Sequence, residues 1–477
     1  VSKQYYSGEL DKDHYEVQLI TYHGEGFDIK GIVSKILITE NIFTHTLTGS
    51  LIIDDGVGLI EKAPIIGSEK ILITFKNPAA KILNALEFRI TSIANRKPKE
   101  GTRLGVTYIL NIKSEESIIN STKRISQSYK GNIGQIVKKI YDDHLKTKKR
   151  GGGDEGMDVG EVIDSNDSND LNVNTTEFSG YHKFIVPNWT PFQAIRYLSS
   201  RAVTTQSSAA NCYFYETLGG FHFKFIDSLI RLPSFNQNKP YKYEIKNVPD
   251  AGATDVGEII FDSSVEKEMF GVTDFKILSS FPDSQESIAH GMYAGTLITH
   301  DIVRKKIERI TYNYIKGFGT TAHAGRGPWI PEKGMSFTTH ALESKPFEAS
   351  SSNILLHPKH KNLHNNDENV DSNRVQDWLL QRLSFQKQMV GTQIEILVPG
   401  NSDISVGDMI NFDLHIFAGK IRTQNPWLTG KYFLGKLTHE FNPDKYMMKM
   451  RLYKDSFTSF PMIQSSPQEN VSQKDGS

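Results

Sequence analysis

IEILVPGNSDISVGDMINFDLHIF (residues 394–417) and GKYFLGKLTHEFNPDKYMMKMRLY (residues 430–453), about a dozen loop-like residues apart, read as short strands joined by tight turns. Ile410, Phe412, Leu414 and Ile416 alternate with Asn411, Asp413 and His415; Tyr446, Met448, Met450 and Leu452 alternate with Met447, Lys449 and Arg451. A period of two places one set on a buried face and the other on an exposed face. Pro399-Gly400-Asn401, Gly407-Asp408 and Asn442-Pro443-Asp444 punctuate the strands with turn chemistry. Such spacing predicts a sandwich or a closed barrel. The stretch is dense in fold information and holds no catalytic grouping, which points to a building block and away from an enzyme.

Working outward, residues 14–113 form a second block of the same kind. Ile36/Ile38, Leu47/Leu51/Ile53, Ile71/Ile73/Phe75, Phe88/Ile90 and Val106/Tyr108/Leu110/Ile112 alternate with polar neighbours. Gly49 inside one strand marks a bulge or a close backbone approach. There is no residue-level repeat between the blocks. Between them, Asn132 with Gln135 predicts a capped helix with Ile133, Val137, Ile140, Tyr141 and Leu145 on its apolar side. Thr190-Pro191-Phe192-Gln193 predicts a second helix start, with Phe192, Ile195, Leu198 and Ala202 on one face. Residues 211–227 read as a hairpin about Gly219-Gly220, with Phe221, Phe223 and Phe225 as a core stripe. A final helix, about Ser372–Met389, turns Val375, Trp378, Leu379, Leu383 and Met389 toward a core.

Composition narrows the function. The chain has 477 residues, enough for about three domains. Lys+Arg and Asp+Glu each number 55, so a uniformly basic nucleic-acid-coating protein is excluded as a class, though not a local basic patch. One cysteine, Cys212, rules out an intrachain disulfide and a cysteine zinc cluster, and reads as a small buried residue. No apolar run approaches the ~20 residues of a membrane span. The polar first residues read as neither signal nor transit peptide, so the expectation is a soluble protein made in a cytoplasm.

Candidate chemistry is sparse. No Gly-x-Ser-x-Gly elbow, P-loop or dinucleotide fingerprint is present, and GEGFDIKG at 24–31 has glycines at the wrong spacing. His357, His360 and His364 have some metal-like spacing, but Pro358 prevents a regular helix through them. Asp164, Asn166, Asp167, Asn169 and Asp170 invite a calcium reading, yet lack the glycine and terminal Glu of an EF-hand loop. His439 and Glu440 are adjacent on a strand and therefore point to opposite faces, so they do not share one acid–base site. No carboxylate pair has glycosidase-like spacing. No residue is assigned a catalytic, cofactor-binding or metal-binding role. Trp189, Trp329, Trp378 and Trp427 are the candidates for a sugar platform; Trp378 reads as helix core, Trp329 and Trp427 as exposed.

Five stretches in shared order carry a resemblance: residues 46–75, 117–145, NWTPFQAIRYLSSRA with the aromatic hairpin after it, 291–314, and the last helix with the opening stretch, where VGD-x-I-x-F leads to Gly430-x-Tyr-Phe-Leu and Thr438-His-Glu. Together they span most of residues 14–457. The chain resembles the baseplate hub proteins of contractile-tailed phages of the T-even type and, more distantly, the hub portion of type VI secretion spike proteins. The resemblance implies an α+β, β-rich fold: two tail-tube-type β-barrel domains with α/β insertions. It implies a first barrel over 1–115 and a helical insertion over 116–205, with a mobile loop at 146–176. A β-rich segment at 206–315 contributes to the barrels and to an inserted domain. An irregular arm follows at 316–372, then a helix and second barrel at 373–460 and a disordered tail at 461–477. It further implies a homotrimeric, pseudo-sixfold ring in the virion, without enzymatic activity or cofactor. That ring joins the hexameric tail tube protein to the trimeric central spike protein, beside other baseplate proteins. Its channel passes the tape measure protein and then DNA without specific binding, with no membrane insertion. Gly407 and Gly430 are then turn residues. The other class left open is a β-rich phage-tail glycan-binding protein or polysaccharide-degrading enzyme. A hub fused to a lysozyme or spike is not expected, as no segment is left to fold one.

Overall fold

The period-two patterns become strands whose alternate residues are sealed from solvent. A computed structural model describes residues 15–63, 65–75, 84–98, 105–147, 170–206, 210–244, 269–302, 305–329, 353–359, 375–418, 421–443 and 445–458. Tyr446, Met448, Met450 and Leu452 are fully buried while Lys449 between them is exposed. Ile36/Ile38, Leu51/Ile53, Ile71/Ile73 and Tyr108/Leu110 are buried in the same manner.

The first block supplies β1 (Glu16–Ile20), β2 (Gly26–Asp28), β3 (Val33–Asn41), β4 (Thr48–Asp55), β5 (Lys70–Phe75), β6 (Asn84–Pro98) and β7 (Val106–Ser114). The middle of the chain supplies β8 (Ser128–Gly131), β9 (His182–Ile185), β10 (Cys212–Thr217), β11 (Gly220–Phe225), β12 (Tyr241–Glu244), β13 (Asp274–Ser279), β14 (Ala294–Asp301), β15 (Lys306–Asn313) and β16 (Ile354–Lys359). The C-terminal block supplies β17 (Thr392–Pro399), β18 (Met409–Ala418), β19 (Ile421–Gln424), β20 (Gly430–Phe441) and β21 (Tyr446–Lys454).

Both blocks lie in one 14-stranded sheet, ordered β13-β17-β21-β20-β3-β4-β7-β6-β5-β1-β2, with β18 branching from β20 and carrying β12 and β19. The seam is β3 against β20, antiparallel from Ile36↔Phe441 to Asn41↔Lys436. Across it the Thr39 and Thr438 hydroxyls are hydrogen-bonded at 3.1 Å. The α+β, β-rich reading is what the structure shows. Ladder closure into two separate barrels is not present among the described residues. The physical reason is the seam: β20 spends its free edge on β3 of the other block. The sheet instead curls onto itself by packing. Phe75 of β5 meets Phe441 of β20 at 4.6 Å between ring centroids, and Phe441 stacks on Tyr446 at 4.5 Å. One apolar core therefore runs from Val17 through Phe75 to Leu452.

The helical insertion has its own core, built from Ile133, Val137, Tyr141, Ile195, Leu198 and the hairpin phenylalanines. Both sequence-read caps are formed. Asn132 accepts from the Gln135 N–H and Thr190 from the Gln193 N–H, and each glutamine side chain accepts from its cap residue's N–H. Phe178 stacks on Phe223, so the Phe221/Phe223/Phe225 stripe is core.

Two expectations need correction. In the last helix, Val375–Met389, Leu379 packs half-buried against the small core around Trp378, as expected, whereas Leu383 is only half-buried and Leu380 and Phe385 also take core positions. The helix is gripped on two sides: Leu380 lies against Gly295 of β14, while Phe385 and Met389 enter the main core. The stretch expected as an irregular arm, 316–372, includes β16, which pairs in parallel with β14 and completes the small sheet β15-β14-β16. Residues 322–329 are also ordered. The backbones of Arg326 and Gly327 bond to Phe457, and the Phe457 ring lies edge-on against Trp329 at 4.5 Å.

Candidate functional site

The seam is organised by a buried carboxyl group that the sequence reading did not single out. Glu40, at the end of β3, has no solvent exposure. Its Oε1 accepts the Leu218 N–H (2.7 Å) from the β10–β11 turn, and its Oε2 accepts the Val406 N–H (2.9 Å) before β18. His439 of β20 stands beside it, with Nε2 3.5 Å from Glu40 Oε1 and Nδ1 2.7 Å from the Tyr446 hydroxyl. One side chain thus ties the first block, the insertion and the C-terminal block together. The available signal was a glutamate at a position where alternation demands an apolar residue: Ile36, Ile38, Glu40. Glu216 repeats the device, accepting the Leu47 N–H (2.8 Å) and the Ser114 hydroxyl (2.6 Å).

His439 and Glu440 diverge as alternation requires. His439 is buried, whereas Glu440 lies on the outer face and pairs with Lys35 across the seam. They form no joint acid–base site.

The outer face across β17, β21, β20, β3, β4, β7 and β6 is polar and largely self-paired. Glu395 binds Lys449 (2.7 Å) and Arg451 (3.1 Å). Burial alone would raise the Glu395 carboxyl, but those two cations outweigh it and hold it below its ordinary value. Thr107 donates to Asp54 at 2.8 Å and Asn111 to Ser92 at 2.9 Å. A groove of about 490 Å³ runs over this face, lined by Thr39, Thr48, Ser50, Asn111, Lys113 and Thr438. Gly49 belongs to the same region. A Cβ there would lie 2.7 Å from the Leu37 carbonyl oxygen, so the close-approach reading of this glycine holds.

The C-terminal end of β21 carries a second buried ionic group. Asp455 Oδ2 lies 2.7 Å from His323 Nδ1, and Oδ1 accepts from the Ala324 N–H at 2.9 Å. The other ring nitrogen of His323 faces the Phe318 carbonyl at 2.7 Å. Burial works against both charges, yet Asp455 raises the imidazolium pKa and His323 lowers that of the carboxyl. Lys454 is directed at the carbonyls of Trp427 and Thr429, and burial pushes its ammonium down to about 8.

The remaining sequence candidates fall in separate places. His357 lies in β16 opposite Thr299, whereas His360 and His364 lie outside the described residues. Asp164, Asn166, Asp167 and Asn169 lie outside them too, and Asp170 pairs with Lys146. Among the described residues no group of three or more His, Cys, Asp or Glu side chains is arranged to hold a metal ion. Burial pushes the Cys212 thiol up. Gly407 and Gly430 adopt φ +101° and +133°, the left-handed backbone their turns require. Of the tryptophans, Trp378 is core, as expected, and Trp427 is 55% exposed. Trp189 packs with Tyr197 and Phe184. Trp329, expected to be exposed, is buried under Phe457, which reaches it from a sequence-distant segment. Among the described residues no helix is long and apolar enough to cross a membrane.

No family model matches the chain. It is 21% identical over 458 residues to the probable baseplate hub protein gp334 of Vibrio phage KVP40, covering 89% of this chain and 94% of that relative. Among solved structures it is similar to a tail protein from Neisseria meningitidis MC58, at 10% identity and TM-score 0.48, covering 93% of this chain and 98% of that one. It is also similar to the 43 kDa tail protein of prophage MuSo2 from Shewanella oneidensis, at 9% identity and TM-score 0.47, covering 92% and 98%.

Proposed function

We propose that this chain is a structural subunit of a phage-tail baseplate hub. Three copies would form a ring that joins the tail tube to the central spike and surrounds the channel for the tape measure protein and DNA. The observation that carries the reading is the β3–β20 seam, which welds two β blocks from opposite ends of the chain into one sheet. A subunit with two such blocks side by side offers six units from three chains, which is how a threefold ring can meet a sixfold tube. The hub name borne by the KVP40 relative, matched along nearly the whole chain, supports the same reading.

The sheet also offers edges for assembly. Among the described residues β13 pairs only with β17, and the distal half of β6, from Ser92 onward, pairs only with β7. An unpaired strand edge is a ready template for another chain. The outer polar face would line the channel. Among the described residues three of its cations, Lys35, Lys449 and Arg451, are matched by Glu440 and Glu395, which leaves fewer free charges to hold phosphates. The domain limits expected from sequence, 1–115 and 373–460 around the insertions, are part of this proposal. So are assembly in the host cytoplasm and the absence of catalysis.

Size-exclusion chromatography with light scattering tests it. A mass of three chains and a ring about one tail tube wide in negative stain are expected. A stable monomer at micromolar concentration, or absence of the protein from purified virions, overturns the proposal.

A further inference from the structure

A cleft of about 480 Å³ opens where three sequence-distant segments meet: the β3–β4 loop at His45, the end of the helix Glu115–Thr122, and the start of the helix Pro191–Ser199. Arg124 and Arg196 project into it from two of these segments. Neither guanidinium has a carboxylate within ion-pair distance among the described residues, and no carboxylate of those residues lines the cleft. This is unusual in a chain whose acidic and basic residues are equal in number.

The neutral lining is biased in the same sense. Asn120 uses its side-chain oxygen to accept the Phe192 N–H at 2.8 Å, and Gln193 uses its own to accept the Thr190 N–H at 3.0 Å. Their amide N–H groups have no partner among the described residues. Thr190 Oγ1 accepts the Gln193 N–H at 3.3 Å, which leaves its O–H to donate. His45 turns Nδ1 to the Phe214 carbonyl at 3.1 Å and its ring toward Phe192, which forms the apolar wall at 5.1 Å. The Asn120 and Gln193 side-chain oxygens are therefore engaged by backbone donors, while their amide donors and two positive charges remain. The helix start is not the attraction, since Asn120 and Thr190 already satisfy its N–H groups.

We propose that this cleft is an oxyanion-binding site, in which Arg124 and Arg196 clamp a carboxylate or phosphate group and the Asn120 and Gln193 amides complete its hydrogen bonds. Planar guanidinium forks suit either oxyanion, and charge-assisted bonds of this kind are about twice as strong as neutral ones. An occupant would also pin the insertion to the first block, because the lining comes from both. The proposal is independent of the trimeric hub reading and holds for a monomer as well.

Isothermal titration of the full chain with inorganic phosphate, and separately with a blocked tri-glutamate peptide, tests it. One site per chain is expected for at least one probe. R124Q and R196Q should each weaken binding by about tenfold or more, and R309Q, on exposed β15, should leave it unchanged. Both cleft arginines are exposed, so their loss should leave the fold intact by circular dichroism. Saturation by phosphate alone marks a phosphate site, and saturation by the peptide alone marks a site for a partner's acidic side chain. Neither probe saturating by about 10 mM, or binding that survives R124Q/R196Q together, overturns the proposal.

Discussion

The largest consequences of single side chains are expected at Glu40 and at His323 with Asp455, all of them buried. Glu40→Ala leaves the Leu218 and Val406 N–H groups without their acceptor and removes the carboxylate beside His439. It should cost about 3 kcal/mol by urea denaturation. Glu440→Ala removes the partner of a half-exposed lysine one residue from His439 and should cost under about 1 kcal/mol. Equal costs would contradict the role given to Glu40. The His323–Asp455 pair predicts a pH dependence whose sign follows from the two shifts. The raised His323 value makes its contribution complete below the ordinary 6.5 and lost as pH rises through the folded value. The lowered Asp455 value makes its contribution complete above the ordinary 3.8 and lost as pH falls through the folded value. The pair therefore stabilises most between those limits. Lys454 acts in the opposite sense: its folded value of about 8 lies below its ordinary 10.5, so its effect improves stability as pH rises. The measurement is thus the stability of the native chain minus that of His323→Gln, which should shrink as pH rises above the ordinary 6.5. A flat difference would mean that His323 is not charged in the fold.

At the scale of elements, the helix starts were legible because capping chemistry is local. Asn132 and Thr190 sit three residues before their glutamines, and both boxes form as read. Asn132→Ala should cost about 1 kcal/mol, and Thr190→Ala about the same, measured as a lower urea midpoint at unchanged slope. The strand faces were legible for a similar reason: side chains along a strand alternate whatever the strand pairs with. The last helix was only partly legible. Trp378 was correctly placed in the core, but Leu380 and Phe385 were missed because the helix packs against β14 and the main core on different sides. A single-stripe reading assumes one neighbour.

For the whole molecule, the seam makes the two β blocks one cooperative unit. Amides of β3 and β20 should exchange with solvent only on global unfolding, with the same free energy in native-state hydrogen exchange. If the first block opened at distinctly lower free energy, the single core would be refuted. The insertion, with a core of its own, is tied to the blocks through Glu40, Glu216 and His45, and these ties set its orientation.

The amino-acid sequence by itself determined the β-rich class, the buried face of most strands, the two capped helices and the opposite directions of His439 and Glu440. Each of these depends on residues within a few positions of one another, where backbone geometry leaves little choice. Only the tertiary structure decided that β20 pairs with β3, that Glu40 accepts from two sequence-distant segments, that Phe457 covers Trp329, and that Arg124 and Arg196 face one cleft. Those facts join residues far apart in the chain. Alternation says which side chains seek the interior, but it cannot say whose interior they share.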